Sequence, residues 1–179
     1  MSVPRIAPGS RGEVGLINFA IARIGGRVSR TEPPKLFLTM GRQRGLFRGW
    51  LRFAGRLMPG GKLPRRETEL VILRVAHLRS CPYEFDHHVR LGRRAGVSEA
   101  DLERLLAGPH ADGWSPRERA ILAAVDGLQR DRTLDDETWT ALREQLNERE
   151  TVELLMLAGH YDMLATFINT LRIEPDRHV

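Results

Sequence analysis

The most informative chemical segment of the chain is Cys81-Pro-Tyr-Glu84-Phe-Asp-His-His88. On a helix, residues three, four and seven apart share one face, so Cys81, Glu84 and His88 are predicted to line up. A thiol at a helix N-terminus is close to the positive end of the helix dipole, which predicts a pKa lowered by roughly a unit from about 8.5. His88 can exchange protons near neutral pH, and Glu84 can orient its ring.

Glu69 is predicted to be a fourth member of this site, from the helix that precedes the segment. The residues three, four and seven positions after it are all apolar, and a carboxylate on an apolar face must be paired, protonated or next to a cavity. Glu67 has Arg74 seven residues later and is predicted to be solvated. Glu69 is therefore the acid expected to point inward.

Structural explanations of the same residues stay open at this stage. If Cys81 is an N-cap, Glu84 is the third helical residue and completes a capping box. A lone cysteine is commonly an inert core residue, and His88 can be a buried histidine bound to a backbone carbonyl. A metal site from His77, Asp86, His87 and His88 is disfavoured, because neighbouring histidines on a helix point about 100° apart. No metal and no cofactor are therefore predicted.

Helix signals dominate the rest of the chain, which predicts an all-α fold. Residues 1–12 are expected to be a loose arm, followed by helices near 13–24 and 43–57 with breaks at Gly25-Gly26 and Pro33-Pro34. Caps and apolar periodicity predict six more helices. They run from Pro64 to Arg79, from 82 to 95, from Ser98 to Ala107, from Ser115 to Arg130, from Asp135 or Asp136 to Leu146, and from Asn147 past Ile168.

The sequence also contains an internal similarity. Pro64-Arg-Arg-Glu67 and the apolar run after it resemble Pro116-Arg-Glu118 and its apolar run. A duplicated helical unit and independently similar capping chemistry both explain this pattern.

Composition bounds the protein class. The 179 residues carry a formal net charge of +5, and the single cysteine excludes an internal disulfide and fits a reducing compartment. No apolar run is long enough to span a bilayer, and the N-terminus lacks the apolar core of a secretory signal, so a cytoplasmic location without membrane attachment is expected. Arg42 to Arg56 contains no acid, but a nucleic-acid motif is absent, so an arginine-rich solvated surface is favoured over nucleic-acid binding.

These motifs resemble the carboxymuconolactone decarboxylase and alkylhydroperoxidase D (AhpD) superfamily. The resemblance rests on Leu63-Pro-Arg-Arg-Glu67-Thr-Glu69, the Cys81 to His88 segment and Gly96-Val97-Ser98, and it extends over about residues 45–173. It implies an all-α domain of about six to eight helices at 45–173. Residues 1–44 would form an N-terminal arm and helix, and 174–179 a C-terminal tail. It also implies a homo-oligomer, commonly a trimer or hexamer.

The resemblance implies two activities. In the peroxidase branch a cysteine pair reduces hydroperoxides, and here Glu69, Cys81 and His88 match the relay glutamate, the first cysteine and the histidine. The second cysteine is Glu84 in this chain, so a Cys81 peroxidase would need an external thiol. The decarboxylase branch needs no cysteine pair.

Acid–base chemistry by His88 with Glu69 and Glu84, on a small organic acid or lactone, is therefore the preferred hypothesis. A one-cysteine peroxidase is the alternative, and a non-catalytic oligomer that binds a small ligand is a third possibility. The catalytic set is Glu69, Cys81, Glu84 and His88. Residues expected to line the substrate pocket are Tyr83, His160 and Tyr161.

Overall fold

The computed structural model describes residues 3–177, and the regular secondary structure of this part of the chain consists of helices, with no strand. Its ten helices are α1 (Arg11–Val14), α2 (Leu16–Ser29), α3 (Lys35–Met40), α4 (Arg44–Leu57), α5 (Arg65–Leu78), α6 (Pro82–Arg94), α7 (Glu99–Ala107), α8 (Pro116–Asp131), α9 (Asp136–Gln145) and α10 (Glu148–Leu171). The expected all-α fold is confirmed. Among the described residues, every helix is too short or too polar to cross a membrane.

The helices form two compact units. The N-terminal unit comprises the described residues up to 56 together with 167–177, and the central unit comprises residues 57–166. An aromatic cluster packs inside the N-terminal unit, where the ring centroids of Phe37 and Phe47 lie 5.5 Å apart and those of Phe47 and Trp50 lie 5.9 Å apart. Phe47 of α4 is thus buried within its own unit, whereas Leu46 and Phe53 on the same helix are 65% and 36% exposed.

Two expectations for the N-terminal unit are wrong. The predicted loose arm at residues 1–12 is held by backbone hydrogen bonds from Arg5 to Leu171 and from Gly9 to Leu38, and its first two residues lie outside the described range. The predicted break at Gly25-Gly26 is absent, because α2 continues to Ser29. A Cβ at Gly26 would lie 2.7 Å from the carbonyl oxygen of Glu32, so this glycine permits close packing of the chain after the helix.

The central unit is built around α5, whose residues from Glu67 to Ala76 are all buried. This agrees with the apolar run in the sequence, which predicts a buried helix. α5 packs against α6, α7 and α8. One core cluster contains Leu70, Leu73, Val97, Leu102, Leu105, Trp114 and Leu122.

The predicted caps of the later helices are confirmed. Capping boxes begin α7 at Ser98 and α8 at Ser115, and the Asp135 side chain accepts a hydrogen bond from the Thr138 N–H at the start of α9. Asn147 accepts from the Glu150 N–H at the start of α10. These local bonds fix where the helices of the central unit begin.

Reciprocal ion pairs join the N-terminal ends of α5 and α8. Nε of Arg66 lies 2.8 Å from Oε1 of Glu118, and Nε of Arg117 lies 2.8 Å from Oε1 of Glu67. Glu67 was expected to be solvated, and this expectation is wrong, because α8 covers it and supplies Arg117 as its partner. Each Arg-Glu dipeptide therefore pairs with the other.

The same two arginines make a second matched set of contacts. Arg66 lies 2.8 Å from Asp101 at the third position of α7, and Arg117 lies 2.8 Å from Glu150 at the third position of α10. Both acids also accept a hydrogen bond from the N-cap residue of their own helix. The repeated contacts agree with a duplicated unit in which α5 and α7 correspond to α8 and α10.

Candidate functional site

The centre of the candidate site is a hydrogen bond between α5 and α6. Oε2 of Glu69 lies 2.7 Å from Nδ1 of His88, and Glu69 is completely buried, as its apolar neighbours predict. A carboxylate can only accept, so Nδ1 carries the proton and Nε2 of His88 is left as the basic nitrogen. The pair is a carboxylate–histidine dyad of the kind that orients an imidazole for proton transfer.

Arg65 was not predicted as part of the site. Its Nη2 atom lies 2.5 Å from Oε1 of Glu69, and its side chain is 39% exposed, in contrast to the fully buried carboxylate. The guanidinium places positive charge beside a carboxylate that would otherwise be costly to bury. The i, i+4 spacing of Arg65 and Glu69 on α5 was the available signal for this contact.

α6 brings Cys81, Glu84 and His88 together as the helical spacing predicts. Cys81 is the N-cap and Pro82 occupies the first turn, where its missing N–H is not needed. All three residues are buried. Cys81 makes no side-chain cap hydrogen bond, so the capping box expected from Cys81 and Glu84 is absent, and the two side chains interact with each other instead.

The expected low pKa of Cys81 is wrong in sign. Burial raises the pKa of the Cys81 thiol to about 12, because the loss of water disfavours the thiolate more than the helix N-terminus favours it. The nearby Glu84 carboxyl raises the Cys81 pKa further. Cys81 is therefore a neutral thiol at neutral pH.

Glu84 is also shifted towards its neutral form. Burial raises the pKa of Glu84 to about 8, against a smaller lowering effect of the hydrogen bond with Cys81. Its Oε2 atom is buried without a hydrogen-bond partner among the described residues. Glu84 is thus a protonated acid near neutral pH, with one buried oxygen that no described protein group satisfies.

Of the three residues expected to line a substrate pocket, Tyr161 is placed against the site. Its ring centroid lies 5.2 Å from that of His88, with the rings perpendicular. Burial raises the pKa of Tyr161 well above 10, and the carboxyls of Glu84 and Glu69 raise it further. Tyr161 is therefore a neutral phenol beside the dyad.

His160 and Tyr83 each pack against another ring. His160 packs edge-on against Tyr161, with ring centroids 5.2 Å apart, and burial lowers its pKa to about 4. Tyr83 is buried next to His87, with ring centroids 4.9 Å apart. The role of both residues in substrate binding stays a prediction.

The site is closed in this structure. None of Glu69, Cys81, Glu84, His88 and Tyr161 exposes more than 7% of its surface. Arg65 is the partly exposed group that connects the dyad to solvent. Within residues 3–177, no group of three or more His, Cys, Asp and Glu side chains is arranged to hold a metal ion.

Comparison with known families shows which proteins this chain is similar to. The sequence model of the Carboxymuconolactone decarboxylase family matches residues 44–127, which include Glu69 and the whole Cys81 to His88 segment. This matched segment, 84 of the 179 residues, supports the resemblance to the carboxymuconolactone decarboxylase and AhpD superfamily. An uncharacterized protein of Bacillus subtilis strain 168, YdfG, is 27% identical over 95 residues, or 52% of this chain and 65% of that protein, which is less than two thirds of its length.

Solved structures share the fold. An uncharacterized peroxidase-related protein from Ralstonia eutropha JMP134, described as an alkylhydroperoxidase AhpD core, superposes with a TM-score of 0.84 at 17% identity and covers 98% of this chain and 93% of its own. The debrominase Bmp8 superposes with a TM-score of 0.80 at 17% identity, and the match covers 95% of this chain and 91% of Bmp8. A cysteine-to-alanine variant of Bmp8, in complex with 2,3,4-tribromopyrrole, superposes with a TM-score of 0.81 at 16% identity. This match covers 97% of the present chain and 92% of the variant. At these identities the likeness concerns the fold.

Proposed function

We propose that this protein is an enzyme that performs acid–base chemistry on a small organic acid or lactone, with His88 as the proton carrier. The observation that carries the proposal is the buried 2.7 Å hydrogen bond between Glu69 and His88. A buried carboxylate fixes the tautomer and orientation of an imidazole, which a merely packed histidine does not require.

Glu84 supports the same reaction class. A carboxyl group with a pKa near 8 is protonated at neutral pH and can donate a proton, and its Oε2 atom is available to a substrate. The neighbouring thiol is neutral because its pKa is near 12, so nucleophilic chemistry by Cys81 has no ready thiolate. Acid–base catalysis therefore requires less rearrangement of this site than thiol catalysis.

Decarboxylation of a carboxylated lactone is the specific reaction we propose. The bond from the lactone carbon to the carboxylate breaks, carbon dioxide leaves, and the electron pair stays on the carbon conjugated with the lactone carbonyl. His88, which takes up a proton at Nε2 from solvent before the reaction, then donates that proton to this carbon, completes the new C–H bond and returns to the Nδ1–H imidazole. Arg65 reaches both Glu69 and solvent, so it is placed to bind the substrate carboxylate as the site opens.

The test is carbon dioxide release from 4-carboxymuconolactone by the purified wild type and three variants. We expect His88→Asn and Glu69→Gln to lower kcat by about 10²–10⁴, the usual range for lost general acid–base catalysis. Cys81→Ser should retain activity within about tenfold, since the thiol takes no part in proton transfer. Turnover that survives His88→Asn would exclude the proposed role of His88.

A thiol peroxidase is the second candidate, and the hydrogen bond between Cys81 and Glu84 favours it. In that reaction the Cys81 sulfur attacks a hydroperoxide, the O–O bond breaks, the alcohol leaves and Cys81 becomes a sulfenic acid. Ionised Glu84 would take the thiol proton and pass it to the departing alkoxide, and two equivalents of an external thiol would then restore the cysteine, with a disulfide and water as products. Cys81→Ser separates the two candidates, because it abolishes this activity and leaves decarboxylation.

A further inference from the structure

A cavity in the N-terminal unit plays no part in the proposed reaction. Its volume is about 670 Å³, and its walls come from α1, the start of α2 and the start of α4. Arg11, Arg44 and Arg48 line it, together with apolar side chains. Residues 3–56 contain eleven arginines and lysines but only two acids, Glu13 and Glu32, so the cavity lies in a strongly basic part of the chain.

The three arginines have no carboxylate partner among the described residues. Arg44 is nevertheless fixed, because its Nη2 donates to the carbonyl oxygen of Gly12 at 2.7 Å and its Nε donates to that of Glu13 at 3.2 Å. Gly15 permits this arrangement, since it has a φ of +84° and a Cβ there would lie 3.2 Å from the guanidinium carbon of Arg44. The wall therefore presents ordered positive charge that is not neutralised.

The start of α2 adds hydrogen-bonding groups to the same wall. Its N-cap is Gly15, which offers no side-chain cap for the first-turn N–H groups. Asn18 lines the cavity, is only 3% exposed, and its Oδ1 atom has no hydrogen-bond partner in the described chain. A buried acceptor of this kind is matched when a ligand brings a hydroxyl or N–H donor.

Apolar residues complete the cavity and continue beyond it. Leu16 and Ile17 line it and are each 63% exposed, and Ile24 and Val28 follow on α2 with exposures of 58% and 63%. On α2, Ile24 and Val28 follow Ile17 by seven and eleven residues, so the three side chains lie on one helix face. An apolar ligand body could therefore extend from the cavity along this face.

We infer that this cavity is a binding site for an organic carboxylate with an apolar body, and that Asn18 gives preference to a ligand carrying a hydroxyl group. The carboxylate would bind next to the N-terminal end of α2, between Arg11 of α1 and Arg48 of α4. Hydrogen bonds between a guanidinium and a carboxylate are strong because both groups are charged. The hydroxyl would donate to Oδ1 of Asn18, and the hydrocarbon would contact Leu16 and Ile17.

The test is calorimetric titration of the full-length protein with octanoate, 3-hydroxyoctanoate, 1-octanol and inorganic phosphate. We expect octanoate to bind, 3-hydroxyoctanoate to bind at least about threefold more tightly, and octanol and phosphate to bind at least about tenfold more weakly. Arg48→Gln should weaken octanoate binding by about tenfold or more. Arg52→Gln is the matched control, because Arg52 is an exposed arginine one turn further on α4, outside the cavity.

Three results would overturn the inference. These are no octanoate binding up to about 10 mM, equal weakening by Arg48→Gln and Arg52→Gln, and phosphate binding as tight as octanoate binding. Asn18→Leu should remove the preference for the hydroxyl, with thermal unfolding as a check on folding, and a preference that persists in the folded variant would contradict the role of Asn18. His88→Asn should bind octanoate normally, which separates this site from the proposed catalytic one.

Discussion

Glu69 and His88 come from different helices and meet in a hydrogen bond of 2.7 Å between Oε2 and Nδ1, with the carboxylate fully buried. α5 supplies the acid and α6 the imidazole, and these two helices pack directly against each other. The geometry specifies which ring nitrogen carries the proton. The position of this ring proton can be measured without a substrate.

We predict that His88 is held as the Nδ1–H tautomer when neutral. Two-dimensional ¹⁵N NMR of the labelled histidines should show a protonated Nδ1 and an unprotonated Nε2 for His88, assigned with His88→Asn. Glu69→Gln should shift this signal, because an amide is a weaker acceptor than a carboxylate. Glu103→Gln, an exposed acid on α7, is the control and should leave it unchanged.

Local sequence signals accounted for much of the fold. The caps at Ser98, Ser115 and Asn147 depend on residues three positions apart, so the sequence predicts them well, and the apolar run of α5 predicts its burial. α3 was missed because six residues after Pro33-Pro34 are too short for a periodic signal. Arg5 and Gly9 were expected in a loose arm because their partners, Leu171 and Leu38, are distant in sequence.

The site shows the same division between local and long-range effects. The alignment of Cys81, Glu84 and His88 follows from helical spacing, and the inward direction of Glu69 follows from its apolar neighbours. The sign of the Cys81 pKa shift does not follow from the sequence pattern, because it depends on how completely the surrounding helices exclude water. Sequence spacing places a group on a helix face, whereas its desolvation is a property of the packed unit.

We predict that Cys81 reacts slowly with iodoacetamide in the folded protein. Because its pKa is near 12, the rate should rise through pH 8–10 without the plateau that a thiol of pKa about 8.5 would give. Glu84→Gln should accelerate the reaction above pH 8, where ionised Glu84 otherwise opposes the thiolate. A plateau near pH 8.5 would indicate that the helix N-terminus outweighs burial, and it would favour the peroxidase candidate.

Glu84 should make the protein less stable as the pH rises. Its pKa is about 8 in the folded protein and 4.5 in its unperturbed state, so between these values the folded chain holds a proton that the unfolded chain has released. The free energy of unfolding should therefore decrease with pH across this interval, by up to about 1.4 kcal/mol per pH unit. Below pH 4.5 this contribution is fully present.

Urea unfolding of wild type and Glu84→Gln at pH 5, 6, 7 and 8 measures this effect. His160 has the opposite dependence, because burial lowers its pKa to about 4 and stability is lost as the pH falls below 6.5. The difference between wild type and Glu84→Gln cancels this background. A difference that is flat from pH 5 to 8 would contradict the buried, protonated state of Glu84.

We propose that the expected homo-oligomer uses an exposed apolar row on α10. Val152, Met156 and Met163 are 61%, 49% and 51% exposed and lie on one helix face. Met156→Glu should lower the mass measured by light scattering, whereas Glu103→Gln on α7 should not. A wild-type protein that is monomeric at micromolar concentration would contradict the proposal.

The reciprocal ion pairs should couple α5 to α8. Arg117 is 26% exposed and Glu67 only 12%, so Arg117→Met leaves two carboxylates, Glu67 and Glu150, without their partner. We expect a loss of about 1–3 kcal/mol in the free energy of unfolding, measured by urea denaturation. Arg93 and Glu99 form an ion pair in which the side chains are 56% and 68% exposed. Arg93→Met should therefore lower the free energy of unfolding by less than about 0.5 kcal/mol.

The duplicated contacts make a sharper prediction for Arg66. Arg66→Met should cost less than Arg117→Met, because Glu118 loses its arginine partner whereas Asp101 keeps its ion pair with Arg104. Combining Arg117→Met with Glu67→Gln should recover part of the loss, since the stranded charge is removed. Additive losses in that double variant would mean that the arginine stabilises the fold through its aliphatic packing and not through the ion pair.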